Sequence, residues 1–251
     1  GDALQALAFE LITPQGPRVP AQVQATLAGL LARAAGYQGM AGGQAIDLAS
    51  VGQVLSQAQL QHMHCLKTGA LLQGSVMMGA ACGVASAAAL AALKQYGAAL
   101  GLAFQVVDDI LDVVADAATL GKTAGKDAAQ NKPTYVALMG LEPAQRLADQ
   151  LAAQAAQALQ DTGLPAERLA ALLQAVATRP FAWGQHDCAR FAAQAVAAGT
   201  LAVPTRLDAA SVVGAVDLLR KQNTAFDGLI LSHLQPPHPP PPPSAHHSSP
   251  P

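Results

Sequence analysis

The sequence predicts an all-α protein, and three observations carry that prediction. Ala and Leu, the strongest helix formers, dominate a chain in which aromatic residues are only 4%. The run from Gln57 to about Gly79 is periodic in the manner of a helix. Gly- and Pro-containing segments such as residues 13–17 and 162–165 break the chain between helices. Such a mixture suits helices packed closely through small residues, and it lacks the β-branched and aromatic enrichment of a sheet.

The elements follow in order. Residues 1–12 read as a helix that opens in mid-pattern with no starting Met, so a truncated N-terminus is expected. Thr13-Pro14-Gln15-Gly16-Pro17 is a break, and Pro20 is placed to open a second helix running to about Ala35. Residues 36–43 read as a glycine-rich turn, and residues 47–50 lead into a short connection. A helix is expected from Gln57 to about Gly79, an Ala-rich helix from there to about Lys94, and a further helix over residues 95–115. Residues 119–133 form a polar loop rich in Lys, Asp and Gly, followed by helices over 134–141 and 143–159. Thr162-Gly163-Leu164-Pro165 is a turn, and residues 166–178 are the last helix of this style.

At 251 residues the chain has room for one large domain or two small ones, and with 51% hydrophobic residues it can bury a sizeable core. A net charge of -2 gives no basic surface for nucleic acid or an anionic membrane. The three cysteines, Cys65, Cys82 and Cys188, are odd in number and widely spaced, which matches no zinc pattern and fits a reduced cytoplasmic setting. Residues 69–93 carry no formal charge and include Gly79-x-x-x-Gly83. They are long enough to span a bilayer, but they are mostly Ala and Gly with Gln73, Ser75 and Ser86 inside. They are expected to form a central helix of a bundle and no membrane span.

The chemistry gathers on Phe104-Gln105-Val106-Val107-Asp108-Asp109-Ile110-Leu111-Asp112. Gln105, Asp108, Asp109 and Asp112 stand at i, i+3, i+4 and i+7, so they share one helix face. Val106, Val107, Ile110, Leu111, Val113 and Val114 make the remaining surface apolar. Three carboxylates about 6 Å apart repel by roughly 3 kcal/mol per pair at an effective dielectric near 20. A divalent cation reverses that sign. Hard oxygen donors without His or Cys favour Mg²⁺, which needs only one or two carboxylates because it keeps waters and takes substrate phosphates.

Lysines flank this helix on both sides in the sequence. Downstream come Gly121-Lys122-Thr123-Ala124-Gly125-Lys126-Asp127 and Asn131-Lys132-Pro133-Thr134-Tyr135, whose ammonium groups can reach a metal-held phosphate. Upstream, in His62-Met63-His64-Cys65-Leu66-Lys67-Thr68-Gly69-Ala70-Leu71, Lys67 precedes an uncharged run and so must find an anion or a cavity wall. His62 and His64 are two apart and point to different faces, so they are expected to be surface or packing residues.

Taken together these segments resemble the trans-prenyl-diphosphate synthase family, most closely its bacterial farnesyl branch. The resemblance is carried by Gly1-Asp2-Ala3-Leu4-Gln5, by Gly39-Met40-Ala41-Gly42-Gly43-Gln44-Ala45-Ile46-Asp47-Leu48, by Lys67-Thr68-Gly69-Ala70-Leu71, by the Phe104 to Asp112 run and by residues 121–135. It covers residues 1–178 and implies an isoprenoid-synthase-type helical bundle around a central cavity. It also implies a cytoplasmic, homodimeric, Mg²⁺-dependent transferase that condenses an allylic diphosphate with isopentenyl diphosphate to give farnesyl diphosphate. Alternatives are a geranylgeranyl or longer-chain synthase and a non-catalytic helical fragment. By resemblance, Asp108, Asp109 and Asp112 are metal ligands, with Asp108 the most direct. Lys67 and Lys122 hold the allylic diphosphate, and Lys132 lies at the diphosphate end of the cavity. Thr68 and Gln105 face the developing cation, Phe104 shapes the isopentenyl site, and Asp127 orients metal-bound water.

Two departures qualify the expectation. The family's first aspartate-rich motif belongs upstream of Gly1-Asp2-Ala3-Leu4-Gln5, so the chain is expected to hold half of a two-sided metal clamp and to be inactive alone. Residues 179–234 leave the family pattern. There Phe181-Ala182-Trp183-Gly184-Gln185-His186-Asp187-Cys188-Ala189-Arg190-Phe191 loosely resembles the start of phage-type NlpC/P60-like cysteine peptidases, with His233 as the downstream candidate partner; a reading-frame artefact of the gene is the alternative. Residues 235–251, nearly all Pro, His and Ser, are expected to be a disordered tail.

Overall fold

The computed structural model describes residues 2–16, 19–118 and 133–178 of the chain. The described residues form helices and no strand: α1 Asp2–Ile12, α2 Ala21–Ala35, α3 Met40–Ala49, α4 Gln57–His64, a π-helical turn Cys65–Gly69, α5 Ala70–Ala81, α6 Ala87–Ala118, α7 Tyr135–Met139, α8 Leu141–Asp161 and α9 Glu167–Thr178. The all-α expectation holds. The polar loop and its Lys122, Lys126, Asp127 and Lys132 lie outside the described residues, as do the peptidase-like segment and the proline-rich tail.

The long helix α6 is the axis of the main core. Leu93, Tyr96, Leu100 and Val106 are fully buried along it. The amphipathic faces of α8 (Ala144, Leu151, Ala155, Ala158) and α9 (Leu169, Leu172, Leu173, Val176) close over them. In α9 those four positions follow i, i+3, i+4 and i+7, the stripe that one helix presents to a core. Each buried Leu contributes about 2 kcal/mol by leaving water. A smaller cluster joins Val23, Leu27 and Leu31 of α2 to Met78 and Cys82 at the end of α5. Gly140 and Gly163, at φ +87 and +63, make the turns on either side of α8 that a residue with a Cβ rarely adopts.

Three boundaries differ from the sequence expectation. The glycine-rich stretch 36–43 is a turn only as far as Gly39, because α3 begins at Met40 and runs through Asp47. The helix expected from Gln57 to Gly79 runs to Ala81 and contains the π-helical turn. The two helices expected to meet near Lys94 are one, α6; the break lies at 82–86 instead, where the Ser86 hydroxyl accepts from Ala89 N at 3.1 Å and caps the new helix. That break divides the uncharged stretch 69–93, and no helix among the described residues is long and apolar enough to cross a membrane.

Candidate functional site

The π-helical turn is the centre of the site. One extra residue per turn rotates Lys67 and Thr68 relative to a regular helix, and such bulges recur at functional positions. Two glycines hold it from opposite sides. A Cβ on Gly43 of α3 would stand 2.2 Å from Lys67 N, and one on Gly101 of α6 would stand 2.6 Å from Gly69 Cα. Neither approach is open to any residue but glycine.

From this clamped turn Lys67 reaches Asp47 of α3, with Nζ donating to Oδ2 at 2.7 Å. The lysine thus finds the anion its surroundings demand. Asp47 is buried at 9% exposure, and Lys67 is partly open. On the other side of the turn the Thr68 hydroxyl donates to Gln105 Oε1 at 3.2 Å. Gln105 Nε2 donates to Asp109 Oδ1 at 3.2 Å, and Tyr135 N donates to Asp109 Oδ2 at 2.8 Å. A continuous chain of hydrogen bonds therefore runs from the π-helical turn through the acidic helix to the start of α7.

The three aspartates do not share one environment. Asp109 is 4% exposed, whereas Asp108 is half-buried and Asp112 exposed. Gly101, Gln105 and Asp109, four apart, form one row of α6, in which Gly101 and Gln105 meet the π-helical turn and Asp109 meets Gln105 and Tyr135. Asp108 and Asp112, also four apart, form the neighbouring row. Among the described residues no group of three or more His, Cys, Asp or Glu is arranged to hold a metal ion. The two outer carboxylates are hard donors in the number that hydrated Mg²⁺ takes from a protein, so this row fits magnesium as one part of a shell completed by water and phosphate. Phe104 is buried in the main core at 8% exposure. Lys122, Lys132 and Asp127 lie outside the described residues.

Three participants are not singled out by the sequence pattern. Asp47 carries a signal in retrospect: a lone carboxylate between Ile46 and Leu48 needs a partner as much as Lys67 does. Tyr135 contributes through its backbone amide, which composition cannot show. His64 is buried, as a packing residue should be, and its ring stacks on Tyr135 with centroids 5.7 Å apart. Among the described residues neither imidazole nitrogen of His64 has a hydrogen-bond partner, nor has the Tyr135 hydroxyl. Burial, aided by the Lys67 ammonium and opposed by Asp47, lowers the His64 pKa to about 4, so the ring is neutral near pH 7. Burial likewise pushes the Cys65 thiol and the Tyr135 phenol up, so neither supplies an anion.

Residues 1–164 match the polyprenyl synthetase family, and residues 162–245 match a domain of unknown function, DUF6950. A Bradyrhizobium diazoefficiens protein named probable farnesyl diphosphate synthase is 49% identical over 178 residues, covering 69% of this chain and 53% of that protein. A chloroplastic geranylgeranyl pyrophosphate synthase of Catharanthus roseus is 40% identical over 154 residues, covering 60% and 43%. Among solved structures, a Helicobacter pylori geranyltransferase complexed with magnesium and isoprenyl diphosphate aligns with a TM-score of 0.57 at 33% identity, over 70% of this chain and 55% of that one. The chain spans about half the length of the curated relatives it matches.

Proposed function

The chain belongs to the polyprenyl synthetase family, and from that premise we propose that it forms the magnesium–diphosphate wall of a farnesyl diphosphate synthase-like prenyltransferase. The reaction is the condensation of an allylic diphosphate with isopentenyl diphosphate. The allylic carbon–oxygen bond breaks, the isopentenyl double bond attacks the carbon so released, and a proton leaves to the departed diphosphate. The observation that carries this reading is the hydrogen-bonded run from Thr68 through Gln105 to Asp109, which ties the π-helical turn bearing Lys67 to the acidic helix.

In this reading Asp108 and Asp112 hold Mg²⁺. Bound there, the ion neutralises charge on the leaving diphosphate. Lys67, Lys122 and Lys132 bind that diphosphate. Gln105 has its carbonyl turned to Thr68 and its amide nitrogen to Asp109, so both oxygen-bearing side chains enter the reaction already oriented. Phe104 bounds the apolar space that excludes water, and Asp127 orients metal-bound water. A homodimer and a cytoplasmic setting belong to the same reading, the latter supported by Cys65 and Cys82, which form no disulfide among the described residues. The similarity to a geranylgeranyl synthase supports a longer product as the second reading.

Binding is the direct test. A non-hydrolysable farnesyl diphosphate analogue is expected to bind the chain only with Mg²⁺, and Asp108→Ala is expected to abolish that binding. Binding that ignores Mg²⁺, or survives Asp108→Ala undiminished, removes the reading.

A further inference from the structure

We propose that Asp109 is a positioning carboxylate that fastens the chain just after Lys132 to the wall carrying Thr68 and Gln105, leaving magnesium to Asp108 and Asp112. The part about magnesium rests on the reading above; the fastening does not. Asp109 belongs to the inward row of α6, with Gly101 packed on Gly69 and Gln105 bonded to Thr68. It is 4% exposed, and each of its oxygens accepts a hydrogen bond from protein, Oδ1 from Gln105 and Oδ2 from Tyr135 N. A hydrated magnesium ion needs an open carboxylate edge, which the burial of Asp109 does not offer.

What Asp109 holds explains why a buried anion is worth keeping. Tyr135 is the first residue of α7, and its amide has no carbonyl within that helix to donate to. The Thr134 side chain takes the Ala137 amide at 3.1 Å, so Asp109 and Thr134 between them satisfy two amides of the opening turn. Tyr135 itself is 1% exposed and stacked on His64, three residues before Lys67. One residue is thus tied by its backbone to the acidic helix and by its ring to the helix that leads into the π-helical turn. Asp109 touches neither metal nor substrate in this account; it acts through Gln105 and through the backbone at Tyr135.

The test uses the full 251-residue chain and two readouts. Hydrogen exchange of the Tyr135 amide reads the fastening without any ligand. Asp109→Ala is expected to speed it at least tenfold, and Asp109→Asn, whose side-chain oxygen still accepts from the amide, is expected to recover most of the protection. Titration with Mg²⁺ and inorganic pyrophosphate reads the metal. Asp108→Asn and Asp112→Asn are expected to weaken it at least tenfold, and Asp109→Asn no more than threefold. Unchanged Tyr135 exchange in Asp109→Ala overturns the fastening, even if the titration behaves as expected. A loss in Asp109→Asn equal to that in Asp108→Asn returns Asp109 to the metal. If the unsubstituted chain takes up no magnesium pyrophosphate, the magnesium wall fails, while the exchange result still decides the fastening.

Discussion

Lys67 Nζ donates to Asp47 Oδ2 at 2.7 Å, and the two partners are unequally placed: the Asp47 side chain is 12% exposed and that of Lys67 33%. The inequality makes the two halves of the pair respond differently to removal. Asp47→Asn leaves a lysine head that can turn to water, and a cost of about 1 kcal/mol is expected. Lys67→Met strands a carboxylate beneath α3, and a cost nearer about 3 kcal/mol is expected. Urea denaturation of the full chain, followed by helical circular dichroism, checks the order. Equal losses would show that Asp47 reaches solvent once its partner is gone.

The glycines divide into those that packing requires and those it does not. Gly43→Ala drives a methyl to 2.2 Å from Lys67 N, and Gly101→Ala drives one to 2.6 Å from Gly69 Cα. In both cases backbone must move, and losses of about 2–3 kcal/mol are expected. Gly29 of α2 meets only the Arg33 side chain, at 3.6 Å. Gly29→Ala is therefore expected to stabilise by about 0.5–1 kcal/mol through helix propensity. Thermal melts of the three variants should show opposite signs, and a stabilising Gly43→Ala would contradict the clamped turn.

The same glycines mark where the sequence is legible and where it is not. Periodicity finds the helices, and the i, i+3, i+4, i+7 spacing finds the face that bears Gln105 and the aspartates. Spacing cannot divide that face into an inward and an outward row, because the division depends on Tyr135, 26 residues downstream of Asp109. Composition reads residues 36–43 as a turn, since Gly is a turn former wherever it stands alone. Here Gly43 instead lets α3 approach the backbone of another helix, a property of two segments together. The break at 82–86 is hidden for a related reason: Ala-rich sequence lies on both sides of it, and only the Ser86 cap marks it. The lysine segment of the site, legible as motif, lies outside the described residues.

Tyr96 tests how α9 is held. Its hydroxyl donates to the Leu169 carbonyl at 2.7 Å across 73 residues, and both residues are fully buried. Tyr96→Phe keeps the ring and removes the donor, leaving that carbonyl without this bond in a dry core. A loss of about 1–2 kcal/mol is expected, with an unchanged urea m-value. A loss below about 0.3 kcal/mol would mean that the intrahelical bonds of α9 suffice for the carbonyl.

His64 makes the fold sensitive to acid. Its pKa is lowered from the ordinary 6.5 to about 4, chiefly because burial penalises the charged ring. As pH falls through 6.5 the unfolded chain takes up a proton that the folded chain refuses, so protons favour unfolding. The folded state therefore loses stability between pH 6.5 and about 4, and below that the folded ring is protonated too and the loss ceases to grow. The full span corresponds to about 3 kcal/mol from this one residue. His64→Phe keeps a flat ring against Tyr135 and cannot bind a proton, and it also removes two buried nitrogens that have no hydrogen-bond partner among the described residues. The variant is expected to match or exceed the unsubstituted chain at pH 7, and its stability is expected to decline less from pH 6.5 to 4.5. Urea midpoints measured across that range decide the matter: parallel profiles for the two proteins would place the acid sensitivity elsewhere.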